Sequence, residues 1–301
     1  MSERVEGLDD AIRAVALPVT GEPMTLERLA GVGGPGVIRI RGPRGRAIAK
    51  YPVRQEATFY RSWASLVRQR GLGVPHVYAQ GETAGQAWIL MEALDATLGL
   101  PYRDRLSDLA GYLAQLHTMQ RDRLTPQVAG LLPVRPVGLS PRDIEDATVL
   151  WPAEARENLA HLLRLPWPTL PNETRLVSGD PNPTNWGLRA SGQLVLFDWS
   201  EVAWSHPAYD LAILCGGLPE VALVHEVVQA YLKTAHVPQW SSIDRWVAWV
   251  ITARLVACVW FAAWWTRGQL SEAGRPGLAM LQEGLVEWIG VVRPAVTEFL
   301  A

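Results

Sequence analysis

The segment LVSGDPNPTNWGLRASGQLVLFDWSE, residues 176–201, holds an unusual combination of polar residues and turn formers. Its first apolar residues lead to Asp180, and the prolines at 181 and 183 prevent regular structure after it. Asp180 is therefore predicted to lie in a fixed loop and not on a helix. Two apolar runs then flank Arg189–Gly192, which predicts a β-hairpin.

The ends of this hairpin carry two oxygen ligands. A turn centred between Ser191 and Gly192 would place Asn185 opposite Asp198, with Cα atoms about 4.5–5.5 Å apart. Carboxamide and carboxylate oxygens suit Mg²⁺, which takes few protein ligands and adds phosphate oxygens. Asp180 is the type of residue that orients and deprotonates an attacking hydroxyl. Each residue alone is more typical of a turn, but the combination predicts phosphate-transfer chemistry.

The segment SGDPNPTN, followed by VLFDWSEVAWSHPAYDLA, resembles the aminoglycoside phosphotransferase and choline kinase superfamily. The resemblance implies an α+β, protein-kinase-like fold of two lobes, with a small antiparallel-sheet N-lobe and a larger, mainly helical C-lobe. It also implies that Asp180 is the catalytic base and that Asn185 and Asp198 are the metal ligands. Asp210 matches an aspartate that braces the catalytic loop and does no chemistry.

The N-terminal part contains a glycine cluster, GVGGPG, where the superfamily has its phosphate-covering loop. Missing side chains let backbone amides approach phosphate oxygens, so Gly33, Gly34 and Gly36 are candidate nucleotide contacts. A glycine-rich turn is weak support by itself. A dinucleotide-binding fold is a poorer interpretation, because the cluster does not fit the spacing G-x-G-x-x-G and leads into a predicted strand.

Lys50 falls on the next predicted strand, where the superfamily carries a lysine that contacts the nucleotide phosphates. An exposed strand lysine is the ordinary interpretation, but the chain has 28 Lys and Arg residues, of which only Lys50 and Lys233 are lysine. This bias favours a function for Lys50. Glu56, early in the following helix, is either its ion-pair partner or a first-turn glutamate favoured by the helix dipole.

The run ILMEAL, residues 89–94, resembles the hinge between the lobes, whose backbone binds adenine, with Glu92 and Leu94 as candidates. The sequence thus predicts a nucleotide-binding lobe over residues 1–93 and a catalytic and acceptor-binding lobe over residues 94–301.

One position departs from the superfamily pattern, because Ser178 stands where a histidine usually precedes Gly-Asp. That histidine supports the loop backbone, so the loop is expected to be held differently here.

Two hypotheses follow. The first is an enzyme that transfers phosphate from ATP or GTP, with Mg²⁺, to a hydroxyl of a small molecule such as an aminoglycoside-like compound, an amino alcohol or a sugar-like metabolite. The second is a catalytically silent nucleotide-binding or scaffold protein.

Composition sets limits on partners. The net charge of −2 gives no reason to expect nucleic acid or an anionic membrane as a partner. The apolar run 246–265 is long enough to span a bilayer, but Arg254 lies in its middle, so a buried core helix is favoured.

Cys215 and Cys258 are predicted to be packed free thiols. With no secretion signal at the N-terminus, a cytoplasmic monomer or homodimer is expected.

The acceptor is not encoded by a transferable motif. It is expected to contact residues 120–165 and 201–301, the parts that vary most between superfamily members. Tryptophans over residues 240–265 would suit either an aromatic box for a quaternary amine or the core, and core is the favoured interpretation.

Overall fold

The computed structural model describes most of the chain, namely residues 8–29, 36–51, 54–83, 85–98, 102–235 and 242–300. The strands are Thr25–Leu29 (β1), Val37–Gly42 (β2), Gly45–Lys50 (β3), Val77–Thr83 (β4), Gln86–Glu92 (β5), Ala96–Thr97 (β6), Arg175–Val177 (β7), Trp186–Leu188 (β8), Leu194–Leu196 (β9) and Ala203–Ser205 (β10). The helices are Leu8–Thr20 (α1), Arg54–Ser62 (α2), Ala64–Gln69 (α3), Leu106–Leu116 (α4), Pro126–Ala129 (α5), Pro141–Thr148 (α6), Ala153–Arg164 (α7), Ala208–Cys215 (α8), Val221–Thr234 (α9), Ile243–Thr266 (α10), Arg275–Val292 (α11) and Pro294–Thr297 (α12).

The chain divides into two compact units. The first unit comprises Met1–Leu98 together with Asn185–Glu201, and the second comprises Gly99–Thr184 and Val202–Ala301. An antiparallel sheet dominates the first unit and helices dominate the second, so the predicted α+β fold class is confirmed.

The sheet of the first unit has the antiparallel order β1-β2-β3-β5-β4. Alternate residues of its strands point to one face, because side chains along a strand alternate with period two. Ile38 and Ile40 of β2 and Ala47 of β3 are buried there against Ile12 and Ala16 of α1. Because one face of the sheet carries this core, the core determines which residues of β3 point inward. β3 is the strand that ends in Lys50.

The hairpin β8–β9 belongs to the first unit, although the predicted boundary near residue 93 assigned it to the second part of the chain. β8 pairs with β6, and the N–H of Leu196 in β9 donates to the carbonyl of Gly73 at 3.1 Å. A Cβ at Gly73 would lie 2.0 Å from the carbonyl oxygen of Leu194, so only glycine permits this approach. The position of the hairpin along the chain gave no indication that it belongs with the first unit.

The second unit is built around α10, which packs against α6, α8, α9 and α11. This helix is long and apolar enough to cross a membrane, yet 83% of its most apolar window is buried inside the protein. Arg254 in its middle donates to the carbonyl of Gly217 at 2.6 Å. Both properties are those of a core helix.

The tryptophans of α10 divide into two groups. Trp246 and Trp249 are buried, whereas Trp260, Trp264 and Trp265 are half-buried. The favoured interpretation of these residues as core therefore holds for the first half of the helix and only partly for the second. The cysteines of this unit, Cys215 and Cys258, are buried free thiols, as predicted, and burial raises the pKa of each.

Candidate active site

The first unit brings together three of the predicted site residues. The Nζ of Lys50, at the end of β3, lies 2.8 Å from Oε2 of Glu56 on α2 and 2.6 Å from Oδ1 of Asp198. The predicted Lys50–Glu56 ion pair is thus present, and Asp198 joins it. The side chain of Asp198 is 35% exposed, whereas that of Glu56 is 1% exposed. The cluster therefore has a buried acid, an accessible acid and a cation between them.

Charge and burial act against each other in this cluster. Burial acts to lower the pKa of the Lys50 ammonium, but the carboxylates of Glu56 and Asp198 outweigh it, and the pKa is raised. Burial also raises the pKa of the Glu56 carboxyl, and the Lys50 ammonium offsets this only in part. Lys50 is thus held in its charged form, as a group that binds phosphate must be.

An aromatic stack holds α2 against the residue that follows Asp198. The rings of Phe59 and Trp199 are parallel within 9°, with centroids 3.9 Å apart, and both side chains are fully buried. The backbone of Trp199 also acts to lower the pKa of the Glu56 carboxyl. The position of Asp198 is therefore tied to the helix that carries Glu56.

The predicted register of the hairpin is wrong by one residue. Trp186 pairs with Leu196, and the N–H of Phe197 donates to the carbonyl of Asn185 at 3.0 Å, so Asn185 lies opposite Phe197 and not Asp198. The cause is the turn, which is centred on Ser191, so that the N–H of Arg189 donates to the carbonyl of Gln193 at 3.0 Å, and Gly192 adopts a φ of +81° there. Among the described residues, Asp198 is the only non-glycine with positive φ, at +61°.

This left-handed backbone directs the chain at Asp198 away from the ladder. Asp and Asn tolerate that conformation better than other residues with a Cβ, and strain of this kind is common at functional sites. Asp198 contributes a carboxylate and Asn185 a carboxamide, and both are oxygen donors of the type that Mg²⁺ prefers. Within the described part of the chain, no group of three or more His, Cys, Asp or Glu side chains could hold a metal by itself. Two oxygen donors of this type suit a metal that takes few ligands from the protein.

The second unit contains Asp180, in the irregular loop that follows β7. Asp210, at the start of α8, is fully buried and accepts hydrogen bonds from the N–H groups of Ser178 at 2.8 Å and Gly179 at 2.9 Å. Gly179 adopts a φ of +81°, which turns the chain just before Asp180. The bracing role expected of Asp210 is therefore confirmed.

A buried histidine completes this arrangement. Nε2 of His117, at the end of α4, lies 3.1 Å from Oδ2 of Asp210, and its Nδ1 lies 3.1 Å from the hydroxyl of Tyr231. The hydroxyl of Ser178 is buried and makes no hydrogen bond within the described residues. The loop is therefore held through its backbone amides, and the side chain at position 178 takes no part in that bracing.

The remaining predicted nucleotide contacts lie in the first unit. Gly33 and Gly34 fall outside the described residues, and the carbonyl of Gly36 accepts from the N–H of Tyr51 at 3.4 Å. The N–H of Glu92 donates to the carbonyl of His76 at 2.8 Å. Leu94 packs against β8, where a Cβ at position 187 would lie 2.4 Å from its Cδ1.

The sequence did not reveal the partner of the Glu92 side chain, which is Arg189. Their atoms form two hydrogen bonds of 2.7 Å each, from Nε to Oε1 and from Nη2 to Oε2. No periodicity or motif links residues so far apart in the chain. Because arginine is abundant in this protein, the presence of an arginine at position 189 did not indicate a special role either.

The fold and the braced aspartate loop define a phosphotransferase of the kinase-like class. A family model, the phosphotransferase enzyme family, matches residues 26–246. The chain therefore belongs to the phosphotransferase enzyme family. No curated protein matches the chain.

Solved structures share the fold at low sequence identity. Spectinomycin phosphotransferase APH(9)-Ia, in complex with ADP and spectinomycin, has a TM-score of 0.66 and 11% identity, over 94% of this chain and 98% of that one. Choline kinase LicA from Streptococcus pneumoniae has a TM-score of 0.59 and 16% identity, over 94% and 98%. Macrolide 2'-phosphotransferase MphH from Brachybacterium faecium has a TM-score of 0.57 and 17% identity, over 91% and 98%.

Proposed function

We propose that this phosphotransferase moves the γ-phosphate of ATP or GTP, with Mg²⁺, to a hydroxyl of a small molecule. The observation that carries the proposal is the cluster of Lys50, Glu56 and Asp198, in which one partly buried ammonium contacts two carboxylates. A cation held in this way is suited to nucleotide phosphates, and an accessible carboxylate beside it is suited to the metal that accompanies them.

Each residue then has a distinct role. Lys50, oriented by Glu56, binds the nucleotide phosphates. Asn185 and Asp198 hold Mg²⁺, which when bound neutralises the charge on the phosphates. Asp180 accepts the proton of the acceptor hydroxyl as that oxygen attacks.

The support for an active enzyme comes from how the Asp180 loop is held. Asp210 braces this loop through the backbone N–H groups of Ser178 and Gly179, so replacement of the motif histidine by serine leaves the brace in place. The competing hypothesis is a catalytically silent nucleotide-binding or scaffold protein. It predicts no turnover and no effect of a change at Asp180.

The adenine or guanine base is expected to contact the backbone at Glu92 and Leu94. For the acceptor, we start from what the structural relatives are named for, which includes spectinomycin, choline, a macrolide and aminopropanol. Pools of hydroxylated compounds should therefore include aminoglycosides, amino alcohols, macrolides and sugars. We further propose that the protein works in the cytoplasm, as a monomer or homodimer, without nucleic acid or membrane as a partner.

The test is release of ADP or GDP in the presence of each acceptor pool, with wild type compared with Asp180→Asn. We expect the variant to lose turnover by about 10²–10⁴-fold, the range for a general base. Its affinity for the Mg²⁺–nucleotide should remain within a factor of about two, because the change keeps the shape of the side chain.

A matched control is Asp104→Asn, since Asp104 is an exposed acid in the same unit and lies outside the segments expected to contact the acceptor. That variant should turn over as wild type does. If no pool supports turnover by wild type, or if Asp180→Asn is as active as wild type, the proposed reaction is wrong.

A further inference from the structure

The hairpin β8–β9 carries both proposed metal ligands, while Lys50 lies on a different sheet of the same unit. Backbone contacts join the hairpin to the residues that flank β6, since the N–H of Asp95 donates to the carbonyl of Leu188 at 3.1 Å and that of Leu98 donates to the carbonyl of Trp186 at 2.9 Å. These bonds hold the β6 side of the hairpin. They do not connect the hairpin to β5, which pairs directly with the lysine strand.

Arg189, at the turn of the hairpin, supplies that connection. Its guanidinium makes the two 2.7 Å bonds to Glu92 described above, and Nη2 also donates to the carbonyl of Val74 at 3.0 Å. Nη1 donates to the side-chain carbonyl of Gln193 on the other arm of the turn. One side chain therefore joins both arms of the hairpin to the end of β5 and to the segment before β4.

Glu92 is itself held in position. Its Oε2 accepts from the backbone N–H of His76 at 3.1 Å, and it pairs with Ala47 in the ladder between β5 and β3. Burial acts to raise the pKa of Glu92, but the bonds from Arg189 and His76 outweigh it and the pKa is lowered. The carboxylate therefore stays charged.

The geometry of this pair is directional. A guanidinium and a carboxylate joined by two parallel bonds fix both distance and orientation, which a lysine cannot do. The side chains of Arg189 and Glu92 are 17% and 16% exposed, so solvent weakens the pair less than it weakens the ion pairs at the surface.

We propose that Arg189 and Glu92 form a positioning clamp, which sets Asn185 and Asp198 relative to Lys50 so that metal and nucleotide phosphates bind together. This role rests on the proposed function. Arg189 touches neither phosphate nor metal in this role. It acts through the hairpin.

Two measurements on Arg189→Met test the clamp. The first is amide hydrogen exchange over residues 185–198 in the protein without nucleotide. The second is the Mg²⁺ concentration that gives half of the thermal stabilisation at a fixed ATP concentration. We expect exchange to be faster by about tenfold and the half-effect concentration to rise by about tenfold, the factor for loss of a charge-assisted hydrogen bond.

The matched control is Arg39→Met. Arg39 lies in the same unit and pairs with Glu27 at 3.1 Å, but this pair is more exposed, with side chains 34% and 55% accessible, and lies on β1 and β2. It should change neither measurement. Arg189→Lys keeps the charge without the two parallel bonds, and we expect it to resemble Arg189→Met. Should Arg189→Met fail to fold, Glu92→Gln tests the other half of the pair with no change of shape.

The outcomes separate the alternatives. Unchanged exchange over residues 185–198 would overturn the clamp. Faster exchange with an unchanged Mg²⁺ requirement, or full recovery in Arg189→Lys, would reduce the pair to a stabilising contact and overturn its positioning role. If wild type itself shows no response to Mg²⁺ and ATP, the proposed function fails and the positioning role fails with it. The exchange data then still decide whether Arg189 holds the hairpin.

Discussion

Lys50 and Asp198 form an ion pair of 2.6 Å that joins β3, which ends in Lys50, to the end of the β8–β9 hairpin. The same ammonium lies 2.8 Å from Glu56, whose carboxylate is buried. Removing the cation would leave a buried carboxylate without its counter-charge, which is the costly way to break an ion pair.

Lys50→Met is therefore expected to lower the free energy of unfolding by about 3–5 kcal/mol. The double variant Lys50→Met/Glu56→Gln should regain at least half of that loss, because the buried position is then neutral. Chemical denaturation measures both. Lys233→Met, which changes the only other lysine, an exposed one on α9, is the control and should have almost no effect. A loss in Lys50→Met no larger than in this control would show that Glu56 does not depend on Lys50.

The left-handed backbone at Asp198 gives a second prediction. A φ of +61° is open to glycine but strained for alanine. Asp198→Gly should therefore be more stable than Asp198→Ala by about 1 kcal/mol, although both lose the carboxylate. The difference in the free energies of unfolding of the two variants tests this. Equal stabilities would contradict the assigned backbone conformation.

Close packing of the hairpin gives a third prediction. Gly73→Ala would place a Cβ 2.0 Å from the carbonyl oxygen of Leu194, so the hairpin backbone must move. We expect a loss of about 1–3 kcal/mol, as for other overpacked sites, measured by denaturation. Gly290→Ala is the control, because Gly290 is exposed on α11 with no atom within 4 Å of its added Cβ. That change should stabilise the helix by up to about 1 kcal/mol. A stability of Gly73→Ala equal to wild type would contradict the close approach.

His206 gives a prediction about pH. Burial lowers the pKa of His206 from 6.5 to about 3, with His117 and Arg175 adding to the effect. In the unfolded chain His206 binds a proton below about pH 6.5, whereas in the folded protein it binds one only below about pH 3. The contribution of neutral His206 to the free energy of unfolding is complete above pH 6.5. It decreases as the pH falls, by up to about 2 kcal/mol at pH 5.

In His206→Asn this part of the pH dependence should disappear. The asparagine oxygen can accept from the N–H of Ala208, which now donates to Nδ1 of His206 at 3.2 Å. Unfolding free energies at pH 7 and pH 5 measure the change. His161→Asn, which alters an exposed histidine, should keep the wild-type slope. The same slope in both variants would show that His206 is not buried in its neutral form.

Much of the first unit could be predicted because its signals are local. The strand after the glycine cluster and the next strand, which carries Lys50, were both predicted, and the scarcity of lysine drew attention to Lys50. The Asp210 brace was predictable because the superfamily motif includes it. These features depend on residues close together in the chain or on a known pattern.

Two features of the candidate site could not be predicted, for physical reasons. The register of the β8–β9 hairpin depends on where the loop is centred, and a small change in that centre makes Phe197, and not Asp198, the partner of Asn185. The Arg189–Glu92 pair depends on where two distant segments of the chain meet. Side-chain packing determines where they meet, and no periodic pattern in the sequence indicates it.

The central claim, a Mg²⁺–nucleotide site at Asp198, is tested most directly by thermal stabilisation. Melting temperatures of wild type and Asp198→Ala are measured with ATP and with GTP, each with and without Mg²⁺. A ligand present at a hundred times its Kd adds about 2.7 kcal/mol to stability, which is readily seen. The account predicts a Mg²⁺-dependent shift in wild type that Asp198→Ala lacks. No shift with either nucleotide, or an equal shift in the variant, would contradict it.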